Sequence, residues 1–142
     1  MKQIPPVKAV MTPFPHHVDS GQPIARALEM MQEHGIRHLP VVENEKLTSV
    51  VTDRDLQRAT ESAVSTEARI LVRDVRCQEA YIVELSEPLD IVVLHMALHR
   101  IDSALVVRNE RLVGIFTMTD ACRFLGGLLR SLFPRGQGDD VA

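Results

Sequence analysis

The chain has no tryptophan, one tyrosine and four phenylalanines, so few aromatic faces are available to stack a base. A bound base would have to lie mainly between aliphatic side chains. Cysteine is equally scarce. Cys77 and Cys122 lack metal-ligand spacing and read as reduced thiols of a cytosolic protein. No stretch approaches the roughly 18 apolar residues of a membrane span. Residues 1–6 carry one lysine and then two prolines with no apolar run behind them, so no signal peptide is expected. A basic excess is missing too: the formal net charge of −3 argues against constitutive nucleic-acid binding. It says little about small anionic ligands, which need only local positive charge.

What is present is a duplication. With 142 residues, 45% of them hydrophobic, the chain can bury a core of about one domain. Sliding it by 65 residues lays 7–60 over 72–125 without gaps. Identical pairs include Val10/Val75, Val18/Val83, Pro23/Pro88, Met31/Met96, His34/His99, Ile36/Ile101 and Val41/Val106. Further on come Asn44/Asn109, Glu45/Glu110, Leu47/Leu112, Thr52/Thr117, Asp55/Asp120 and Arg58/Arg123. The matches fall on apolar and turn positions alike, which composition does not explain.

Within copy one, residues 7–12 suggest a short helical turn stopped by Pro13, and 16–18 a short extended piece. Asp19, Ser20 or Gln22 can cap the helix that Pro23 opens, since proline suits a first turn. Ile24, Ala27, Leu28 and Met31 recur at helical spacing as its buried stripe, and Gly35 ends it. Residues 39–42 and 47–51 read as strands around an Asn44-Glu45 hairpin turn, and 53–59 as a second helix. Copy two repeats the order: a helix over 88–99, strands over 104–107 and 112–116 around Asn109-Glu110, then a helix from about Thr119. The expected class is α+β, with two β-α-β-β-α repeats packed sheet to sheet around a pseudo-twofold axis. One unit of about 54 residues would be marginal alone, so the two are expected to share a core. Residues 61–71 read as a linker, and 126–142 as the end of the last helix followed by a flexible tail.

The repeat unit resembles the cystathionine β-synthase (CBS) domain, and the pair resembles a Bateman module. The residues that carry the likeness are Val10-Met11-Thr12, then Gly35-Ile36-Arg37-His38-Leu39-Pro40-Val41-Val42, then Val50-Val51-Thr52-Asp53-Arg54-Asp55-Leu56. In copy two, residues 101–107 and 114–120 hold the same places. The likeness spans about residues 7–125 and leaves no room for a catalytic domain. It implies a regulatory sensor that binds an adenosine-containing ligand (AMP, ADP, ATP or S-adenosylmethionine) between the repeats and signals to an unidentified regulated protein. It also implies a homodimer assembled through helices.

The threonine–aspartate stretches permit two roles. As N-caps, Thr52 and Thr117 would accept an early backbone N–H, with Asp55 and Asp120 in the first turn, worth roughly 1 kcal/mol and needing no ligand. As a ligand site, the aspartate would accept both ribose hydroxyls while the threonine hydroxyl and helix N-terminal amides face phosphate. The two can coexist. The resemblance implies ribose at Asp55 and Asp120, and phosphate near Thr52, Thr117 and Thr119. It places the base near Thr12, Pro13, His17 and Val18, or near the mates that include Ile82 and Val83. The copies differ where phosphate is expected. Copy one offers Arg37, His38 and Arg54, whereas copy two has Asp102 and Ser103 and no basic residue in its motif, Thr117-Met118-Thr119-Asp120. Ser49 stands where the family usually has glycine, and Arg76-Cys77-Gln78 replaces Met11-Thr12-Pro13. Arginine pairs with phosphate bidentately and a carboxylate repels it, so unequal clefts are expected, with one cleft the better suited to a phosphorylated nucleotide.

Other features weigh less. His95 and His99 are four apart on a helix, a zinc-ligand spacing without a third ligand nearby. No cysteine or serine sits with a base and orienter, so neither an enzyme nor a catalytic cofactor is expected. The copy-two helix carries Leu94 and Leu98 where copy one has Glu29 and Glu33, and an all-round apolar helix is buried on both sides. Together with Phe124, Leu128 and Leu132 these suggest a homodimer or partner surface. A membrane-surface helix fits poorly, because Arg123, Arg130 and Arg135 give little basic face. The leading reading is a stand-alone cytoplasmic sensor. Its alternative is a ligand-independent assembly module with degenerate clefts.

Overall fold

The computed structural model describes residues 3–62, 69–77 and 79–136. A 3-10 turn at Val7–Ala9 leads into β1 (Thr12–Pro13), β2 (Val18–Asp19), α1 (Ile24–His34), β3 (His38–Glu43), β4 (Lys46–Thr52) and α2 (Asp53–Glu61). A second 3-10 turn, Val72–Asp74, precedes β5 (Ile82–Glu84), α3 (Leu89–His99), β6 (Ser103–Arg108), β7 (Arg111–Thr117) and α4 (Met118–Leu132). The strands form two mixed sheets, ordered β2-β3-β4 and β1-β7-β6-β5. β2 runs parallel to β3 and β5 to β6, while β3-β4 and β6-β7 are antiparallel hairpins. The class is α+β, as the sequence predicts.

Local chemistry explains the elements. Both hairpins turn on Asn-Glu pairs whose φ angles are all positive, 51° and 65° at Asn44-Glu45 and 50° and 65° at Asn109-Glu110. Two consecutive positive φ values give the type I′ turn, whose twist matches the flanking strands. Helix α1 buries Ile24, Ala27 and Met31 and stops at Gly35, whose left-handed φ of 62° suits a residue without Cβ. Strand alternation sends Ala104, Val106 and Phe116 into one core, while the cross-strand pair Leu105 and Ile115 points to the opposite face. Strand β7 meets β4 of the other sheet.

The two copies exchange their N-terminal arms. Val7 is packed among Val83, Leu89, Val92, Met96 and Phe116 of copy two. Its mate Val72, together with Val75, is packed among Val18, Ala27, Met31, Leu39 and Leu56 of copy one. The same hydrogen bonds hold each arm. The Val7 N–H donates to Glu87 O at 2.8 Å and the Val72 N–H to Gln22 O at 2.8 Å; the Lys8 N–H reaches Leu85 O and the Arg73 N–H reaches Ser20 O. β1 pairs with β7, with Pro13 opposite Gly114.

This exchange corrects two expectations. The copies do not share one core: each of the two clusters mixes residues from both repeats. Nor does Asp19, Ser20 or Gln22 cap α1 with its side chain; Pro23 takes the N-cap position without a side-chain bond. The first free amide is satisfied by the arm instead. The Ile24 N–H donates to Ile70 O, and the Leu89 N–H of α3 donates to Pro5 O, both at 2.9 Å. The Ser20 hydroxyl donates to Glu43 Oε1 at 3.1 Å. The linker and tail expected from the sequence fall largely on residues 63–68 and 137–142, outside the described residues.

Arm exchange also explains a glycine. A methyl group at Gly114 would overlap the Met11 sulfur and crowd its Cγ and Cε at 3.0 and 3.1 Å. Gly126 in α4 has no such neighbour within 4 Å. Gly114→Ala should therefore lower unfolding stability by about 1–3 kcal/mol, whereas Gly126→Ala should raise it by up to about 1 kcal/mol. Urea denaturation of both variants checks this, and equal effects would contradict the Met11 contact.

Candidate functional site

Thr52 and Thr117 each end a strand and begin a helix. The Thr52 hydroxyl oxygen accepts from the Asp55 N–H at 3.1 Å, and Asp55 Oδ2 accepts from the Thr52 N–H at 2.9 Å. Thr117 and Asp120 repeat this capping box at 3.3 and 3.0 Å. The capping role is thus present in both copies. It does not exhaust the groups, because a carboxylate oxygen accepts more than one hydrogen bond and the Thr52 hydroxyl keeps its own proton to donate.

The two aspartates are not equally committed. Asp55 Oδ1 accepts from Arg58 at 3.2 Å. Asp120 Oδ1 accepts from Arg123 at 3.3 Å and from the Thr12 hydroxyl at 3.3 Å, while Oδ2 also takes the Thr117 hydroxyl at 3.2 Å. The Asp120 side chain is 8% exposed against 13% for Asp55. The arm of copy one, through Met11 over Gly114 and Thr12 on Asp120, therefore covers the second motif.

Beside the first motif opens a cavity of about 530 Å³. Copy one contributes Arg37, His38, Val50, Thr52, Asp53, Arg54, Asp55 and Arg58 to its wall. Copy two contributes Arg76, Cys77, Glu79 and Tyr81 from its arm, Arg100, Ile101 and Asp102 from the turn between α3 and β6, and Ser103 from the start of β6. The structure thus brings Thr52, Asp55, Arg54, Arg37 and His38 together on one wall. Which cleft receives Arg37-His38 depends on how the repeats cross, and the crossing puts both equivalent strand starts, Arg37-His38 and Asp102-Ser103, on the wall of this one cavity.

The remaining candidates lie elsewhere. Thr12, Thr117 and Asp120 meet one another, Pro13 sits in β1 beside Gly114, and Thr119 is exposed on the first turn of α4. His17 is exposed before β2. Val18 and Val83 point into the two cores, so their side chains cannot line a cleft; strand alternation leaves Ile82 outward instead, apart from the cavity wall. Leu94, Leu98, Leu128 and Leu132 are exposed, but Phe124 is half-buried against the copy-two core and is withdrawn from the surface set.

Tyr81, like Glu79 and Arg100, lines the cavity without standing out in the sequence. Its ring lies on His95 with centroids 4.1 Å apart, and His95 touches His99 at 4.2 Å. In copy one the equivalent position, His16, stacks on His34 at 3.5 Å. The repeat alignment of Tyr81 with His16 and of His99 with His34 was the available signal. So the cavity does have one aromatic wall residue. Among the described residues no group of three His, Cys, Asp or Glu side chains is placed to hold a metal ion, and no helix is long and apolar enough to cross a membrane.

Comparisons with known proteins agree with this architecture. The CBS domain family model matches residues 7–62 and 72–127. The CBS domain-containing protein YhcV of Bacillus subtilis (strain 168) is 31% identical over 114 residues, covering 80% of this chain and 81% of YhcV. The chain spans only 20–24% of three longer curated relatives that are 32–33% identical to it. Among solved structures, the CBS domain pair of protein MJ0100 in complex with 5′-methylthioadenosine and S-adenosyl-L-methionine superposes with a TM-score of 0.78 at 27% identity, covering 89% of this chain and 99% of that one. CBSX2 in complex with AMP gives 0.73 at 25% identity, with the same coverage of 89% and 99%.

His38 gives the cavity a pH dependence. Burial holds its pKa below the ordinary 6.5, outweighing the opposing pull of Asp102, Asp53 and Asp55, and Arg37 adds to the lowering. The folded imidazole is neutral where the unfolded one begins to take up a proton. The stability it contributes is therefore full above pH 6.5 and is lost as pH falls from there through the lower folded value. His38→Gln should flatten the fall in stability between about pH 7 and pH 5 measured by urea titration. An identical slope in wild type and variant would contradict this.

Proposed function

The chain belongs to the CBS domain family, and we propose that it is a regulatory CBS pair whose first cleft binds an adenosine-containing nucleotide. The observation that carries this reading is the convergence, on one cavity, of Asp55 for the ribose, the Thr52 hydroxyl and several arginines for phosphate, and Val50, Ile101 and Tyr81 for the base. A carboxylate suits the paired ribose hydroxyls, and guanidinium groups pair with phosphate oxygens in bidentate fashion. The resemblance to pairs bound to AMP and to S-adenosyl-L-methionine supports the ligand class. Because the cavity wall comes from both repeats, occupancy restrains one copy against the other, which is the signal offered to a regulated protein. The reading needs no catalytic residue.

The second motif serves a different purpose in this reading. With its carboxylate engaged by Thr12, Thr117 and Arg123, Asp120 holds the arm of copy one in place. Asp55→Ala should weaken nucleotide binding at least tenfold, the scale of lost hydrogen bonds to a charged group. Asp120→Ala should leave affinity within about twofold while lowering stability by about 1 kcal/mol through its cap. Calorimetric titration with AMP, ADP, ATP and S-adenosylmethionine checks both, and heat from none of the four would reject the sensor in favour of assembly.

A homodimer through copy two fits the same molecule. Leu94 and Leu98 on α3 are 67% and 79% exposed, and Leu125, Leu128, Leu129, Leu132 and Phe133 extend the apolar surface along α4. Their copy-one mates on α1 are Glu29 and Glu33, which pair with Arg26 at 2.8 and 3.9 Å. Leu98→Glu should convert the dimer to monomer in light scattering; an unchanged mass would remove this face from the interface.

A further inference from the structure

Two departures between the copies add cations to the same cavity. Arg76 stands where copy one has Met11, and Arg100 stands where copy one has Gly35. Arg100 is the more telling. It follows α3 in the left-handed region with φ 54° and ψ 44°, the conformation that Gly35 adopts after α1 with φ 62° and ψ 37°. Glycine enters that region without a Cβ penalty, whereas arginine does not. Strain of this kind persists only where the surrounding structure holds it, and it clusters at ligand sites.

The cations are also available. Arg58 is committed to Asp55 at 3.2 Å. Arg37, Arg54, Arg76 and Arg100 line the cavity with no carboxylate within 4 Å, among the described residues. Asp53, Glu79 and Asp102 share the wall, so a bound anion must pair with the guanidinium groups to offset their repulsion. A ribose at Asp55 brings the first phosphate to the Thr52–Arg54 turn, and one or two donors satisfy it. The arginines supplied by copy two then remain for further phosphates. At the other motif the equivalent positions hold Met11, packed over Gly114, and Gly35.

We propose that the first cleft selects a nucleoside polyphosphate over a monophosphate or a sulfonium nucleoside, with Arg100 and Arg76 as specificity residues for the distal phosphates. This rests on the nucleotide reading of that cleft. The discriminating variant is Arg100→Gly, which installs the residue copy one already uses and relieves the backbone. Wild type should bind ATP at least tenfold tighter than AMP by calorimetry, without magnesium. Arg100→Gly should weaken ATP binding about tenfold, the scale of one charge-assisted hydrogen bond. It should leave AMP within about twofold and melt no earlier than wild type. Arg76→Met should act in the same direction. Equal affinities for ATP and AMP in wild type, or equal losses for both in Arg100→Gly, would overturn this inference alone. Heat from neither nucleotide overturns the nucleotide reading along with it.

Discussion

Everything in this structure depends on the reciprocal seating of the two N-terminal arms. Each arm donates a valine to the other copy's core and a carbonyl to the first free amide of the other copy's helix. Ile70 O serves Ile24 and Pro5 O serves Leu89 at the same 2.9 Å, which is the pseudo-twofold relation expressed as hydrogen bonds. Buried backbone donors need partners, and here neither α1 nor α3 finds its partner within its own repeat. A single unit would lack both a core residue and a cap. The same crossing brings residues 76, 77, 79 and 81 of copy two against Asp55 of copy one, so the cavity exists only in the assembled pair.

Duplication supplied two equivalent halves, and they differ at three positions that bear on the clefts. Met11 over Gly114 covers one motif, whereas at the other Ser49 replaces that glycine and Arg76 replaces that methionine on the cavity wall. Arg100 in a glycine's conformation adds charge at the end of α3. That helix also carries Leu94 and Leu98 on its outer face. On the proposed reading, the ligand meets the C-terminal end of the helix whose exposed side joins a second copy, which gives occupancy a short physical route to assembly.

Much of this was legible in the sequence because it is local. Helical stripes, the Asn-Glu turns, the glycine stop after α1 and the threonine–aspartate boxes are written within four residues of one another, and the gapless repeat doubles each signal. The arm exchange was not legible. An alignment of the repeats assigns Val7 and Val72 to equivalent places but cannot say whether each packs in its own copy or the other. From that uncertainty came the expected shared core and the side-chain cap on α1, and for the same reason the choice of cleft for Arg37-His38 stayed open. Tyr81 escaped notice because a lone aromatic carries no periodic signal, and only the fold brings it to the cavity and onto His95. The exposed leucines were readable from Leu94 and Leu98 aligning with Glu29 and Glu33, but the inward turn of Phe124 depends on how α4 lies on copy two.

The central claim is that one cleft, built by the copy-two arm, is the responsive one. Hydrogen exchange of the arm amides reads it directly, because the N–H groups of Val72 and Arg73 hold one arm and those of Val7 and Lys8 hold the other. With saturating ATP the account predicts slower exchange at Val72 and Arg73, with Val7 and Lys8 unchanged. Equal protection of both arms, or protection of Val7 and Lys8 alone, would contradict it.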